Sequence, residues 1–274
     1  MIVVSDLDGT LLDSDHRLSR ENRRTLVSLG EQGVVRVVAT GRSLYSARRV
    51  LDDAFPIDYL VFSSGAGVVE WASKDLILAH HMTSRDALSV AAFLMERRLD
   101  FMLHHGIPDN HRFYFYRAGT GNPDFEERCV RYGAFAQQWP ESTPQLGRVS
   151  QLLAVEPADT ASQFDDIAGT FSNHKVILTT SPLDHASRWI EIFPATVSKG
   201  IASRWLCARL GLDAAHTLAV GNDYNDIDLL EWASCACVVA NAPAALRGSY
   251  RNVPGNDADG FSRAVADWLN PGPW

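Results

Sequence analysis

Two carboxylates stand two residues apart in DLDGT, Asp6–Thr10, directly after the apolar run Ile2–Ser5. If the strand continues through them, both side chains share one face. Side by side they repel, and a divalent cation would neutralise them. Gly9 lets the chain turn and come close to a ligand. An aspartate-rich turn leading into a helix is the plainer alternative. An EF-hand fits less well, because the glycine is not at the loop position that motif needs.

A second polar cluster, GNDYND (Gly221–Asp226), follows the apolar run Thr217–Val220. It is either a tight turn or a cradle. Asp226 can serve the next helix as N-cap or first-turn acid, and Asp223 can help, but neither role accounts for Asn222 and Asn225. VVATGRS (Val37–Ser43) ends another apolar run with Thr40, Gly41 and Arg42. A hydroxyl, an approachable backbone and a guanidinium suit a phosphate, although a plain strand–turn–helix would look the same. Lys199 falls in the first turn of a helix, where a cation opposes the helix dipole by ~0.3–1 kcal/mol. A nearby anion would offset that; a lysine reaching to the surface is the alternative. No serine–histidine–acid or cysteine–histidine pattern competes. A carboxylate nucleophile can form an acyl-phosphate, with Mg2+, a lysine and oriented donors stabilising the transferring group.

The elements that must hold these residues alternate. Ile2–Ser5 reads as a buried strand, Ser19–Gly33 as a helix capped by Ser19, and Val34–Thr40 as a second strand. Ser43–Leu51 reads as a helix and Asp58–Ala66 as a third strand. Near the C-terminus the same grammar returns. There is a helix from Ser198 (N-cap) to Gly211, the strand TLAVG, a helix start DIDLLEWA, the strand CVVA and a closing helix FSRAVADWL. This predicts an α/β fold, a Rossmann-like core on a parallel sheet with right-handed crossovers. The middle reads differently: a helix Ser84–Arg98, a hairpin in FMLHHGIPDNHRFYFYR, a segment with Pro140 and Pro144, then strands in VSQLLAVEP, KVILTTS and RWIEIF. It predicts an inserted α+β domain over residues 81–187, with the core formed by 1–80 and 188–274.

Composition narrows the classes. The chain has 274 residues, 46% hydrophobic and 21% charged, with net charge -8. An acidic chain without a basic block lacks the phosphate-neutralising surface of a nucleic-acid binder. No basic, apolar leader is read at the N-terminus and no membrane span is expected. Cys235 and Cys237 lie in ASCACVVA without a second pair to complete a zinc site, so they read with Cys129 and Cys207 as small reduced residues of a cytoplasmic protein.

These motifs resemble the haloacid dehalogenase (HAD) superfamily, and within it the Cof-type phosphatases with a C2-type (IIB) cap. DLDGT matches DxDGT, ATGR the second motif, VSKG the lysine motif, and GNDYND matches GDxxND except at one position. SSGA (Ser63–Ala66) and NAP (Asn241–Pro243) resemble two further stretches. The resemblance implies a Mg2+-dependent phosphatase acting on small phosphorylated metabolites: sugar phosphates, nucleotides or phosphorylated cofactors. It implies Asp6 as nucleophile and Asp8 as general acid and base. Thr40, Gly41, Arg42, Lys199 and Asn225 would bind phosphate. Asp6, the Asp8 carbonyl, Asn222 and Asp226 would hold the metal, and the insert would act as a cap. The departure is Asn222, where the family usually has an aspartate. An asparagine carbonyl is still a hard oxygen donor, with one charge fewer. Asn222 can ligate neutrally with Asp226 in support, the preferred reading, or Asp223 can take over.

For the substrate, His104, His105, Asp109, Asn110, Arg112 and Glu191 are candidate contacts, with solvated or plain strand positions as the alternative. A phosphomutase using the same chemistry and a non-catalytic metabolite binder decayed at Asn222 are the rival functions. The protein is expected as monomer or homodimer, with Phe113–Tyr116 either a dimer face or, the preferred reading, core of the insert.

Overall fold

The computed structural model describes every residue except Thr120, Pro182, His185 and 271–274. The chain divides into two compact units, one of residues 1–42, 46–78 and 198–274, the other of 43–45 and 79–197. The second unit runs past 187 because the strand Arg188–Pro194 pairs with Val149–Glu156 and His174–Thr180 in its own sheet.

The first unit is built on an eight-stranded sheet, in spatial order Arg251–Val253, Cys235–Val239, Thr217–Gly221, Ile2–Ser5, Val35–Ala39, Tyr59–Phe62, Gly67–Glu70 and Leu76–Ala79. The six strands from Arg251–Val253 to Tyr59–Phe62 are parallel, and Gly67–Glu70 turns back antiparallel. Ile2–Ser5 and Thr217–Gly221 lie in the middle and are buried along their whole length. Both faces are covered, which is why these strands read as continuous apolar runs without alternation. Helices Arg20–Glu31 and Lys199–Arg209 are capped by Ser19 and Ser198, whose side chains accept from Asn22 N and Ile201 N. The helix expected over Ser43–Leu51 is only Leu44–Ala47, because Arg49 N and Val50 N bond three residues back and tighten the turn. The third strand stops at Phe62, where Ser63, Ser64 and Gly65 all take positive φ.

The second unit has a six-stranded sheet, in order His174–Thr180, Arg188–Pro194, Val149–Glu156, Asp100–His105, Phe113–Tyr116 and Ala136–Gln138. It is antiparallel except for its last pair. Strand alternation gives it two apolar faces. Phe101, Leu103, Leu152 and Ile190 pack with Ala87 and Val90 of the helix Ser84–Glu96. Met102, Phe113, Leu153 and Trp189 pack with Phe125 and Cys129 of the helix Pro123–Arg131. Phe113 and Phe115 join the second cluster and Tyr114 and Tyr116 the first, so the aromatic strand is divided between the two cores.

Candidate active site

Parallel strands deliver their carboxyl ends to one edge of the sheet, and that edge is where ligands bind in open α/β folds. Here the residues following those ends are Asp6, Thr40, Ser63 and Asn222. Ser5 is in register with Val220 and with Val38, so the loops carrying them start level.

Asp6 still bonds through its backbone N–H to Val220 O at 2.9 Å, but the strand proper ends at Ser5. The chain then coils, with Gly9 at φ 72°. The expected shared strand face for Asp6 and Asp8 is therefore lost, and the carboxylates turn to different partners. Asp6 is buried, with Oδ1 accepting from Lys199 Nζ at 2.7 Å. Lys199 is 1% exposed and also donates to Asp226 Oδ1 at 2.6 Å and Asn225 Oδ1 at 3.4 Å. The surface reading of Lys199 does not apply, and two carboxylates now offset its cost at a helix N-terminus. Burial pushes the Asp6 carboxyl up, with Asp226 and Asp8 adding to it, while Lys199 pulls it down. Against burial, Asp226 and Asp6 hold the lysine in its charged form.

The turn Ser63–Gly65 fixes where that lysine stands. A Cβ on Gly65 would lie 2.3 Å from Ser198 O, so only glycine lets this turn press against the helix N-terminus. Ser64 N donates to Thr40 O, and Ser63 N to Arg42 O, which locks the turn to the ATGR segment. Thr40 is buried, and its Oγ1 accepts from Arg42 N at 3.1 Å. A Cβ on Gly41 would lie 3.6 Å from Ser64 Oγ and 3.9 Å from Asn225 Nδ2, so three separate loops converge there.

Asp8 is 34% exposed and takes the guanidinium of Arg42 side-on, with Nε to Oδ2 and NH2 to Oδ1 both 2.6 Å. The guanidinium that the sequence reading offered to a phosphate is engaged by Asp8 instead. His16 Nδ1 lies 3.2 Å from Asp8 Oδ1. No pattern in the sequence marks His16, although the turn-forming run Asp13–Asp15 before it signals a chain that doubles back.

Asp226, expected among the metal ligands, is fully buried with both oxygens engaged. Oδ1 holds Lys199, and Oδ2 accepts from Asn222 N at 2.9 Å and Asp223 N at 3.1 Å. With Asp223 it forms a capping box at the helix start. GNDYND is thus a turn whose last acid is turned inward. Burial raises the Asp223 carboxyl, whose Oδ1 accepts from Tyr224 N. Asn222 projects the other way: a Cβ on Gly9 would lie 2.7 Å from its Nδ2. Asn241 Nδ2 donates to Gly9 O at 2.8 Å, tying the NAP segment to the same loop.

The cysteines are free, and Cys235 and Cys237 lie on one sheet strand. In the second unit, His104 Nδ1 bonds Asn110 O at 2.7 Å, and burial together with Arg128 lowers its pKa to about 3. His105 stacks on Tyr114, and Arg112 lies over Phe135. Glu191 is buried on its strand. These candidates are strand and hairpin residues of one unit, and nothing in their own contacts assigns them to a substrate.

A model of the haloacid dehalogenase-like hydrolases matches residues 3–265. The chain belongs to this family. A putative phosphatase of Bacillus subtilis, YxeH, is 26% identical, with 96% of each chain covered. The 5-amino-6-(5-phospho-D-ribitylamino)uracil phosphatase YwtE of the same organism is 24% identical over 98% of each chain. A solved structure from Streptococcus mutans superposes with a TM-score of 0.79 at 21% identity, covering 98% of both chains. The chain is thus a hydrolase on a Rossmann-like core with an inserted cap. No helix among the described residues is long and apolar enough to cross a membrane.

The family implies a Mg2+-dependent mechanism. Among the described residues no three of His, Cys, Asp and Glu form a metal-binding group. The chemistry of the donors explains this: Asp226 is turned inward and position 222 carries an amide. The residues present still fit a hard cation. Asp6 Oδ2 takes no hydrogen bond among the described residues, and the Asn222 side chain lies close against Gly9 of the loop that carries Asp8.

Proposed function

We propose that this protein hydrolyses phosphate monoesters of small metabolites through an aspartyl-phosphate on Asp6. The observation that carries this reading is the contact of Lys199 with both Asp6 and Asp226 in a buried site at the sheet's carboxyl edge. A buried lysine between two acids leaves one negative charge in excess, a site made for a cation and a phosphoryl group. Lys199, Thr40, the Gly41–Arg42 backbone and Asn225 bind the phosphoryl oxygens. Oδ1 of Asp6 is fixed by Lys199, so its carboxylate is aimed before substrate arrives. Asp6 attacks phosphorus, and Asp8 gives its proton to the leaving oxygen. Asp8 then takes a proton from the water that cleaves the acyl-phosphate, returning Asp6.

Asp6, the Asp8 carbonyl and Asn222 are the residues we assign to Mg2+, which supplies charge neutralisation of the transferring group. We assign Asp226 to positioning Lys199 and the 222–226 turn. The substrate is a small phosphorylated metabolite; the YwtE relative, named for a phosphorylated ribityl compound, supports that class. The second unit is proposed as the cap that selects it, and the setting as cytoplasmic, with the chain as monomer or homodimer and nucleic acid not among its partners.

The test is phosphate release from a panel of phosphorylated metabolites, with Mg2+ and with chelator, beside Asp6→Asn. Metal-dependent release absent in Asp6→Asn is expected. Isomerised sugar phosphate would point to the mutase. Tight metabolite binding without turnover would point to the non-catalytic protein.

A further inference from the structure

His16 stands at φ 58°, in the left-handed region, a conformation that a side-chain-bearing residue takes only when its surroundings impose it. The surroundings here are specific. Leu12 and Leu18 form an antiparallel bridge. Between them Asp13 N bonds Arg17 O, and His16 N bonds Asp13 O, both at 2.9 Å. Asp13 Oδ1 accepts from Asp15 N at 3.0 Å and Arg17 N at 2.8 Å. The strap is also pinned from outside by a segment some 240 residues away. Ser14 donates through N and Oγ to the two oxygens of Asp257 at 2.8 and 2.7 Å. Asn256 Nδ2 donates to Leu12 O at 3.1 Å, and Ser19 Oγ to Asp259 Oδ1 at 2.5 Å. The two bonds from Ser14 also lower the Asp257 carboxyl.

An eight-residue strap that is exposed from Ser14 to Arg17 has no need of so many anchors for its own sake. What they achieve is to bring one ring nitrogen back onto Asp8, 3.2 Å from Oδ1. Arg42 already grips both oxygens of Asp8. That fork fixes the plane of the pair, and Arg42 Nη1 in turn donates to Ser46 Oγ at 3.3 Å. His16 adds a third contact, on Oδ1 of a carboxyl whose side chain is still 34% exposed.

We propose that His16 is a positioning residue for Asp8: the anchored strap 12–19 holds the imidazole against Oδ1 and so aims the carboxyl that protonates the leaving oxygen. The inference rests on the hydrolase reading above. Its consequence falls on one step only. Esters of alcohols and sugars need a proton delivered to a poor leaving group, whereas p-nitrophenolate departs without one.

The experiment compares wild type, His16→Gly and His16→Asn on p-nitrophenyl phosphate and on the best alkyl or sugar phosphate. Glycine deletes the ring and accepts a positive φ without strain. Asparagine tolerates the same φ and returns an N–H near the position of Nδ1. His16→Gly should lower kcat on the alkyl ester about tenfold, with KM little changed and p-nitrophenyl phosphate within about twofold, a fraction of what a general acid contributes. His16→Asn should regain most of the loss. Equal effects of His16→Gly on both esters, no effect on either, or no recovery in His16→Asn would overturn the assignment. Wild-type protein inactive on both esters would instead sink the hydrolase reading, and this inference with it.

Discussion

Asp6 and Asp8 are separated by one residue, and their surroundings have little in common. The Asp6 side chain is 8% exposed and shares a lysine with Asp226, itself at 0%. The Asp8 side chain is 34% exposed and meets an arginine and a histidine that is 60% exposed. The first environment is closed, with one lysine shared between two carboxylates. A group there is held still and can act as a nucleophile of fixed direction. The second is open to solvent on one side, as a group must be if it exchanges protons with a leaving alcohol and then with water. Identical side chains acquire different surroundings from what the coil after Ser5 turns each of them towards.

The comparison can be broken most severely at the nucleophile. Asp6→Asn keeps a hydrogen-bonding group beside Lys199 and should lower phosphate release at least about 10^4-fold, measured at saturating substrate. Next comes the partner that touches no substrate in this account. Asp226→Asn leaves Lys199 short of one charge and takes an acceptor from two backbone N–H groups. Lys199 keeps Asp6 as a partner, so the cost is that of the lost charged hydrogen bond, about 1–3 kcal/mol in denaturant titration. A loss of activity with full stability would show that Asp226 acts on ligand or metal after all. Third, Asn222→Asp restores a negative charge to the metal side. It should lower the Mg2+ half-saturation for turnover several-fold and tighten Mg2+ binding in calorimetry; an unchanged or raised value would remove Asn222 from the ligand set. The smallest effect is expected on the open side. Asp257→Ala unties the strap at Ser14, should leave Tm essentially unchanged, and should weaken turnover of alkyl esters by only a few-fold.

How much of this was legible beforehand follows the same division. Asp6, Thr40 and Asn222 follow apolar strands, and the dipole cost at Lys199 called for an anion nearby. The parallel core was readable because its strands are buried on both faces and its helices carry serine caps. The inward turn of Asp226 was not readable. It depends on Lys199 arriving from 27 positions earlier in the chain to claim one oxygen while the 222–223 backbone claims the other. The grip of Arg42 on Asp8 and the approach of His16 are contacts through space of the same kind, and local spacing says nothing about them. Local energetics misled at Ser43–Leu51, where residue types suit a helix but the chain tightens after Ala47. In the second unit, two-sided burial split the aromatic strand between two cores, which an alternating pattern allows but does not assign.

The most direct test of the central claim is to trap the covalent state. Protein mixed with a substrate it turns over, quenched with borohydride and mapped by mass spectrometry, should carry homoserine at position 6 and at no other aspartate. Substrate-dependent turnover without reduction at Asp6, or with reduction at Asp8, Asp223 or Asp226 instead, would contradict the division of labour described here.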